Sequence, residues 1–303
     1  MHVIGTMRCS DMMNFLKSPW RRPFSVATVR APDEIAASAG GPKPPHSLQP
    51  GERAYSTLDF PETMGVDLKD VSVAYGARLA VTGITGRFAP ASLTAVVGPN
   101  GAGKSSLLKA IAGILPLRSG TIRSTAGNKC DVAYLPQQVD IERTFPISVG
   151  ELVALGAWRI FGAFRRPPDA VFDRVAEAAA SAGLEGLLDR PVESLSVGEF
   201  QRALFGRLLL QDAPVILLDE PFAALDDHTT EDLLRVVLHW HQAGRTVIAV
   251  LHDLDQVRAH FPTALLLARS CIGWGDTASV VTEENLVRAR NTVRGRTKGP
   301  VLA

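Results

Sequence analysis

Across its 303 residues the chain is 46% hydrophobic and 21% charged, enough apolar material for a full globular core in one or two domains. Its 32 Lys and Arg stand against 31 Asp and Glu, which excludes the one-signed field expected of a nucleic-acid or anionic-membrane binder. No apolar run approaches the roughly 18 residues that a membrane-spanning helix needs. Cys9, Cys130 and Cys271 have no metal-ligand spacing and suit a reducing compartment.

Residues 1–63 hold eight of the twenty prolines, including Pro42, Pro44 and Pro45, and show no sustained periodicity. A segment of this kind cannot bury enough apolar surface to offset its ordering entropy, so it is expected to be a disordered extension. Its early part is rich in Arg and Ser and poor in acids, loosely like a targeting peptide. The blander reading is the better one: Met64, immediately before the first convincing strand, is the expected start of the functional protein. From there, Val66–Val73 and Leu79–Phe88 read as a small antiparallel sheet. Leu93–Val97 reads as a buried strand.

The next segment is Gly98, Pro99, Asn100, Gly101, Ala102, Gly103, Lys104 and Ser105, which fits G-x-x-x-x-G-K-[ST]. Its glycines allow turn geometries in which successive N–H groups converge on phosphate oxygens. Lys104 supplies a charge for the β- and γ-phosphates, and Ser105 a hydroxyl for Mg²⁺. Ser106 onward reads as a helix whose N-terminus favours anions.

Further along, Val132–Leu135, Val215–Leu218 and Thr246–Leu251 are short apolar runs, the pattern of strands buried on both faces of a parallel sheet. Between about 139 and 205 the pattern is helical, at Val149–Ala157, Asp169–Gly183 and Gly198–Leu210, which makes a helical insertion between two sheet strands. Within it Ser196 and Glu199 have the spacing of a helix capping box. The same helix N-terminus is also a second candidate anion site. At the end of one apolar run, Asp219 suits the Mg²⁺ shell and Glu220 can orient or deprotonate an attacking water. His239 and His241 are two apart on a helix, so they point to different sides and read as a surface or half-buried helix rather than a metal site. After about Leu286, Arg288, Arg290, Arg294, Arg296 and Lys298 read as a solvated basic end.

Together these motifs, over about residues 65–285, resemble the nucleotide-binding subunits of ATP-binding cassette (ABC) transporters. Leu195-Ser-Val-Gly-Glu199 is similar to the family signature L-S-G-G-Q. It departs at Val197 and Glu199 and keeps Ser196 and Gly198. The resemblance implies that Tyr75 stacks on adenine and that Gln137 joins the Mg²⁺ shell, with Gln138 a neighbouring amide that competes for that role. It likewise implies that Asp226 links two protomers and that His252 contacts the γ-phosphate, with Ser106 in place of the usual threonine.

The fold it implies is α/β: a P-loop NTPase core with a mostly parallel sheet, an N-terminal antiparallel β subdomain and an inserted α-helical subdomain. The ATP-binding domain then spans 64–286, and 287–303 form a tail. The implied activity is ATP hydrolysis with Mg²⁺. Lys104, Glu220 and His252 are its catalytic groups, and the site is completed by Ser196, Gly198 and Glu199 of a second copy docked head to tail. The implied partners are that second copy, an integral membrane permease and, indirectly, an extracytoplasmic metal-binding protein. Nucleic acid is not among them. The implied location is the cytoplasmic face of the membrane, reached through the permease.

The segment from Val139 to Val153, together with Phe200–Ala213 and Ala249–Leu254, looks most like ATPases of zinc and manganese uptake systems, in particular the actinobacterial and proteobacterial zinc type. Iron-chelate importers are the nearest competitor. Two other classes remain open. Asn128 to Asp131 fits N-K-x-D, a guanine-reading motif, but precedes the strand bearing the Mg²⁺-binding carboxylate, the reverse of the order in GTPases. A soluble ABC ATPase would usually carry two cassettes or a long coiled-coil insertion, and this chain has one cassette with a short insertion.

Overall fold

Two hydrophobic cores lie on opposite faces of one six-stranded sheet. The computed structural model describes residues 64–124, 132–138, 141, 143–158 and 169–295. The 1–63 extension, the Asn128–Asp131 tetrapeptide, Cys9, positions 139, 140 and 142 of the insertion, Arg296 and Lys298 lie outside these residues.

In chain order, β1 (Val66–Tyr75) and β2 (Arg78–Phe88) form an antiparallel pair, as the sequence suggested. β3 (Leu93–Val97) leads through the glycine-rich loop into α1 (Lys104–Ile111). β4 (Leu117–Ser124) then returns to the other edge of β1, making a three-stranded sheet of order β2-β1-β4. β5 (Val132–Leu135) opens the insertion. It continues as α2 (Val149–Ala154) with a 3₁₀ turn at Leu155–Ala157, then α3 (Asp169–Ser181) and α4 (Val197–Gln211).

The remaining elements are β6 (Val215–Asp219), α5 (Asp227–Gln242), β7 (Thr246–Val250), α6 (Leu254–His260), β8 (Thr263–Ala268), β9 (Ser270–Asp276), α7 (Thr277–Val280) and α8 (Glu283–Gly295). The large sheet runs β5-β6-β7-β3-β8-β9, with every neighbouring pair parallel except β8–β9.

The period of two along each strand divides the cores. Val215 and Leu217 of β6 face the core that includes α1 and the small sheet, while Ile216 and Leu218 face the core shared with the inserted helices. Burial on both faces is why these strands read as unbroken apolar runs. Among the described residues the insertion therefore has no separate core. Its helices pack on the sheet face directly, and Phe205 of α4 stacks on Trp240 of α5 with ring centroids 5.6 Å apart.

The chain end departs from expectation. Residues to Gly295 form α8 rather than a solvated end. Leu286, Ala289 and Val293, at helical spacing, dock on the core, and the Arg288 guanidinium donates to the Ile272 carbonyl at 2.8 Å. The density of arginines on the outer face hid this narrow apolar stripe. His239 and His241 are half-buried in the last turn of α5. Among the described residues no helix is long and apolar enough to cross a membrane.

Candidate functional site

The phosphate loop, Gln137, Glu220 and His252 follow the carboxyl ends of adjacent strands β3, β5, β6 and β7, where open α/β sheets place their ligands. The loop after β3 is shaped by close approach. A Cβ on Gly98 would stand 2.1 Å from the Leu267 carbonyl oxygen, and one on Gly103 would stand 2.5 Å from that of Ala80. Gly103 (φ 95°) caps α1 without any side-chain acceptor, so the first N–H groups of α1 face the cleft rather than a cap. The Lys104 side chain is buried at this helix start, and Nζ donates to the Gly98 carbonyl at 2.9 Å and that of Pro99 at 3.4 Å. Burial lowers its pKa, against the opposing pull of Glu220 and Asp219.

Ser105 Oγ donates to Asp219 Oδ1 at 2.9 Å, and the Tyr134 hydroxyl donates to Asp219 Oδ2 at 3.2 Å. Burial pushes the Asp219 carboxyl up, and those two hydrogen bonds oppose the rise. The next residue, Glu220, takes a left-handed backbone (φ 52°), a conformation that L side chains adopt at a cost and that is concentrated at functional sites. One carboxylate oxygen of Glu220 lies 2.7 Å from His252 Nε2, and the other accepts from Gln137 Nε2 at 2.7 Å. With its Nε2 engaged by Glu220, Gln137 keeps its amide oxygen as a donor for a metal ion. A Ser hydroxyl, an Asp carboxylate and an amide oxygen form an all-oxygen donor set, the chemistry that fits Mg²⁺.

These groups border a cleft of about 730 Å³ lined by Tyr75, Arg78, Leu79, Ala80, residues 100–106, Gln137, Glu220, His252 and Arg269. Tyr75 stands 52% exposed at the end of β1, a free aromatic face at the rim. Gly98 and Pro99 line an adjoining pocket and Asp219 is buried behind Ser105, while Ser196, Gly198, Glu199 and Asp226 do not border this cleft at all.

The two adjacent glutamines divide their work. Gln137 faces the cleft, whereas Gln138 Nε2 donates to Gln201 Oε1 at 2.7 Å. Gln201, which is buried on α4, donates in turn to the Pro221 carbonyl at 2.6 Å, one residue beyond Glu220.

Ser196 caps α4 in a full capping box. Its hydroxyl accepts from the Glu199 N–H at 3.2 Å, and Glu199 Oε2 accepts from the Ser196 N–H at 2.8 Å. Those bonds, the backbone one foremost, hold the Glu199 carboxyl below its ordinary range, with help from Arg190 at 3.2 Å. Arg143 braces the same turn: it donates to the carbonyls of Leu195 and Ser196 at 2.8 and 3.2 Å and stacks 4.5 Å over the Phe200 ring. Val197 is 39% exposed at the first position of the helix. Asp226 caps α5, accepting from the Thr229 N–H and hydroxyl at 2.8 and 2.9 Å.

Sequence reasoning missed Arg143, Gln201 and Arg269 as parts of these constellations. Each acts through partners distant in the chain, and no local spacing marks it.

The ABC transporter family profile matches residues 81–223. The manganese transport system ATP-binding protein MntB of Listeria monocytogenes is 32% identical over 227 residues, 73% of this chain and 94% of that one. The zinc transport system ATP-binding protein TroB of Treponema pallidum is 36% identical over 228 residues, 74% and 86% of the respective chains. Among solved structures, cbiO1 of Clostridium perfringens, part of the ABC transporter complex cbiONQ, superposes with a TM-score of 0.63 at 26% identity, over 78% of this chain and 98% of that one.

Proposed function

The chain belongs to the ABC transporter family as an ATP-binding subunit, and from that premise we propose that it hydrolyses ATP to drive import of zinc or manganese through a membrane permease. The observation that carries the ATPase assignment is the placing of Glu220, held between Gln137 and His252, at the end of a cleft floored by the phosphate loop. The metal assignment rests on relatives that serve manganese and zinc transport systems.

In this reading the triphosphate lies along the N–H groups of the loop, with adenine against Tyr75. Lys104 turns from the loop carbonyls to the β- and γ-phosphates. Ser105, Asp219 and Gln137 would hold Mg²⁺, which neutralises charge on the phosphate oxygens. A water in line with the γ-phosphorus is oriented by Glu220, which takes its proton as the new P–O bond forms. The bond to the bridging oxygen breaks, and ADP leaves. His252 steadies Glu220 and reaches the γ-phosphate. Catalysis is positioning and electrostatic stabilisation.

Two copies dock head to tail, so that Ser196, Gly198 and Glu199 of each bring the N-terminus of α4 to the nucleotide on the other, with Asp226 at the joint. The γ-phosphate makes the closed pair favourable, and its loss returns the pair to the open state. The inserted helices meet the permease on the cytoplasmic face. An extracytoplasmic binding protein delivers the metal, which touches no residue of this chain. The ATP-binding unit begins at residue 64, includes the insertion at about 139–205 and extends through α8 to Gly295, with 1–63 as an extension.

The test is disruption of the gene in its own host, with complementation by the parent or by Glu220→Gln. Cellular zinc or manganese should fall and be restored by the parent alone. Normal zinc and manganese with depleted iron would instead assign the chain to an iron-chelate importer.

A further inference from the structure

The turn between β8 and β9 is a single residue, Arg269, in the left-handed conformation (φ 62°). Glycine or asparagine would occupy this position at less cost, so an arginine here calls for a reason. The backbone supplies part of it. The Arg269 N–H donates to the Ala102 carbonyl at 2.8 Å, and its own carbonyl accepts from the Thr82 N–H at 2.7 Å. The turn is thus stitched to the phosphate loop on one side and to β2 on the other. Any residue could make those two bonds, so they do not explain the guanidinium.

The side chain is half-buried and lines the cleft. Other arginines drawn into the fold are held by protein groups: Arg202 pairs with Asp232, Arg245 with Asp212, and buried Arg207 donates to the Tyr134 carbonyl at 2.8 Å. Arg269 has no carboxylate partner among the described residues. A partly desolvated cation that lines a cleft and has no protein counter-charge is satisfied by an anion entering that cleft.

Its place along the cleft selects which anion. Tyr75 and Arg78 are register partners at the β1–β2 hairpin, β2 continues through Ala80 to Thr82, and Thr82 and Ala102 both bond the Arg269 backbone. These residues follow one another along one wall that runs from Tyr75 to the phosphate loop. Glu220, His252 and Gln137 cluster together as a separate group of lining residues. We propose that Arg269 is a nucleotide-binding residue whose guanidinium pairs with the α-phosphate, the group nearest the nucleoside and common to ATP and ADP. The proposal rests on the nucleotide reading above.

The test is calorimetric titration of the full chain and of Arg269→Ala, Arg269→Lys and Arg269→Gly with MgATP and with MgADP. Thermal melting without nucleotide checks that each variant is folded. Arg269→Ala should weaken ATP and ADP alike, by about tenfold for one charge-assisted contact. Arg269→Lys should recover part of the loss, and Arg269→Gly should match Arg269→Ala. Parental affinities in Arg269→Ala, or weakening of ATP alone, would overturn the inference. So would parental affinity in Arg269→Gly, which would trace the loss to the backbone. A parent that binds neither nucleotide would instead overturn the nucleotide reading itself.

Discussion

His252 Nε2 and Glu220 Oε1 lie 2.7 Å apart, and that contact joins the ends of neighbouring strands β7 and β6 across the mouth of the cleft. With Gln137 on its second oxygen, the Glu220 carboxylate has a fixed orientation before any substrate arrives. On the mechanism we propose, Glu220→Gln keeps the shape and loses the base. Turnover should fall by on the order of 10²–10³ while ATP still binds, the scale for removing one preorganised catalytic group. Steady-state hydrolysis alongside nucleotide titration checks it, and turnover near the parental rate would remove Glu220 from its role.

The Gln138–Gln201–Pro221 relay ties the start of the insertion to the peptide after Glu220. Gln201→Leu keeps the bulk and breaks both bonds, freeing Glu220 to shift. We expect kcat to fall about tenfold to a hundredfold, since small misplacements of a catalytic group are costly, with KM little changed. Gln138→Ala should add little to Gln201→Leu in a double-mutant cycle. Additive effects would mean that the two amides act separately.

Asp232 on α5 receives Arg202 of α4 at 2.5 Å, Arg235 at 2.6 Å and His228 at 3.3 Å. Burial pushes its carboxyl up, but the hydrogen bond and charge of Arg202, with smaller contributions from His228 and Arg235, hold it below its ordinary value. A depressed folded-state pKa stabilises the fold above the unfolded-state value and is lost as pH falls through the folded one. Asp232→Asn should therefore lower stability by about 1 kcal/mol at neutral pH. In urea titrations the gap should hold from about pH 7 to 5 and close below about 4. A gap that persists unchanged to about pH 2 would contradict this assignment.

Local chemistry decided what the sequence could reveal. The phosphate loop was legible because Gly98 and Gly103 sit where a Cβ would strike a carbonyl, so the motif records a steric demand. Strands β5, β6 and β7 were legible because both faces are buried. β4, with the sequence LRSGTIRS, carries no apolar run and forms only because β1 offers it an edge. α8 was masked by its arginines. Arg143, Gln201 and Arg269 act through contacts with segments that only the folded sheet brings near. At Ser196 and Glu199 both sequence readings concern the same atoms: the capping box is made, and the helix N-terminus it caps is the surface we assign to the second copy.

The pairing of two copies around ATP is the claim on which the transport reading depends. Sedimentation of the purified full chain carrying Glu220→Gln, in MgATP and then in MgADP, tests it most directly. A dimer in MgATP that reverts to monomer in MgADP is the expected result. A chain that is saturated with MgATP yet sediments as a monomer would contradict it.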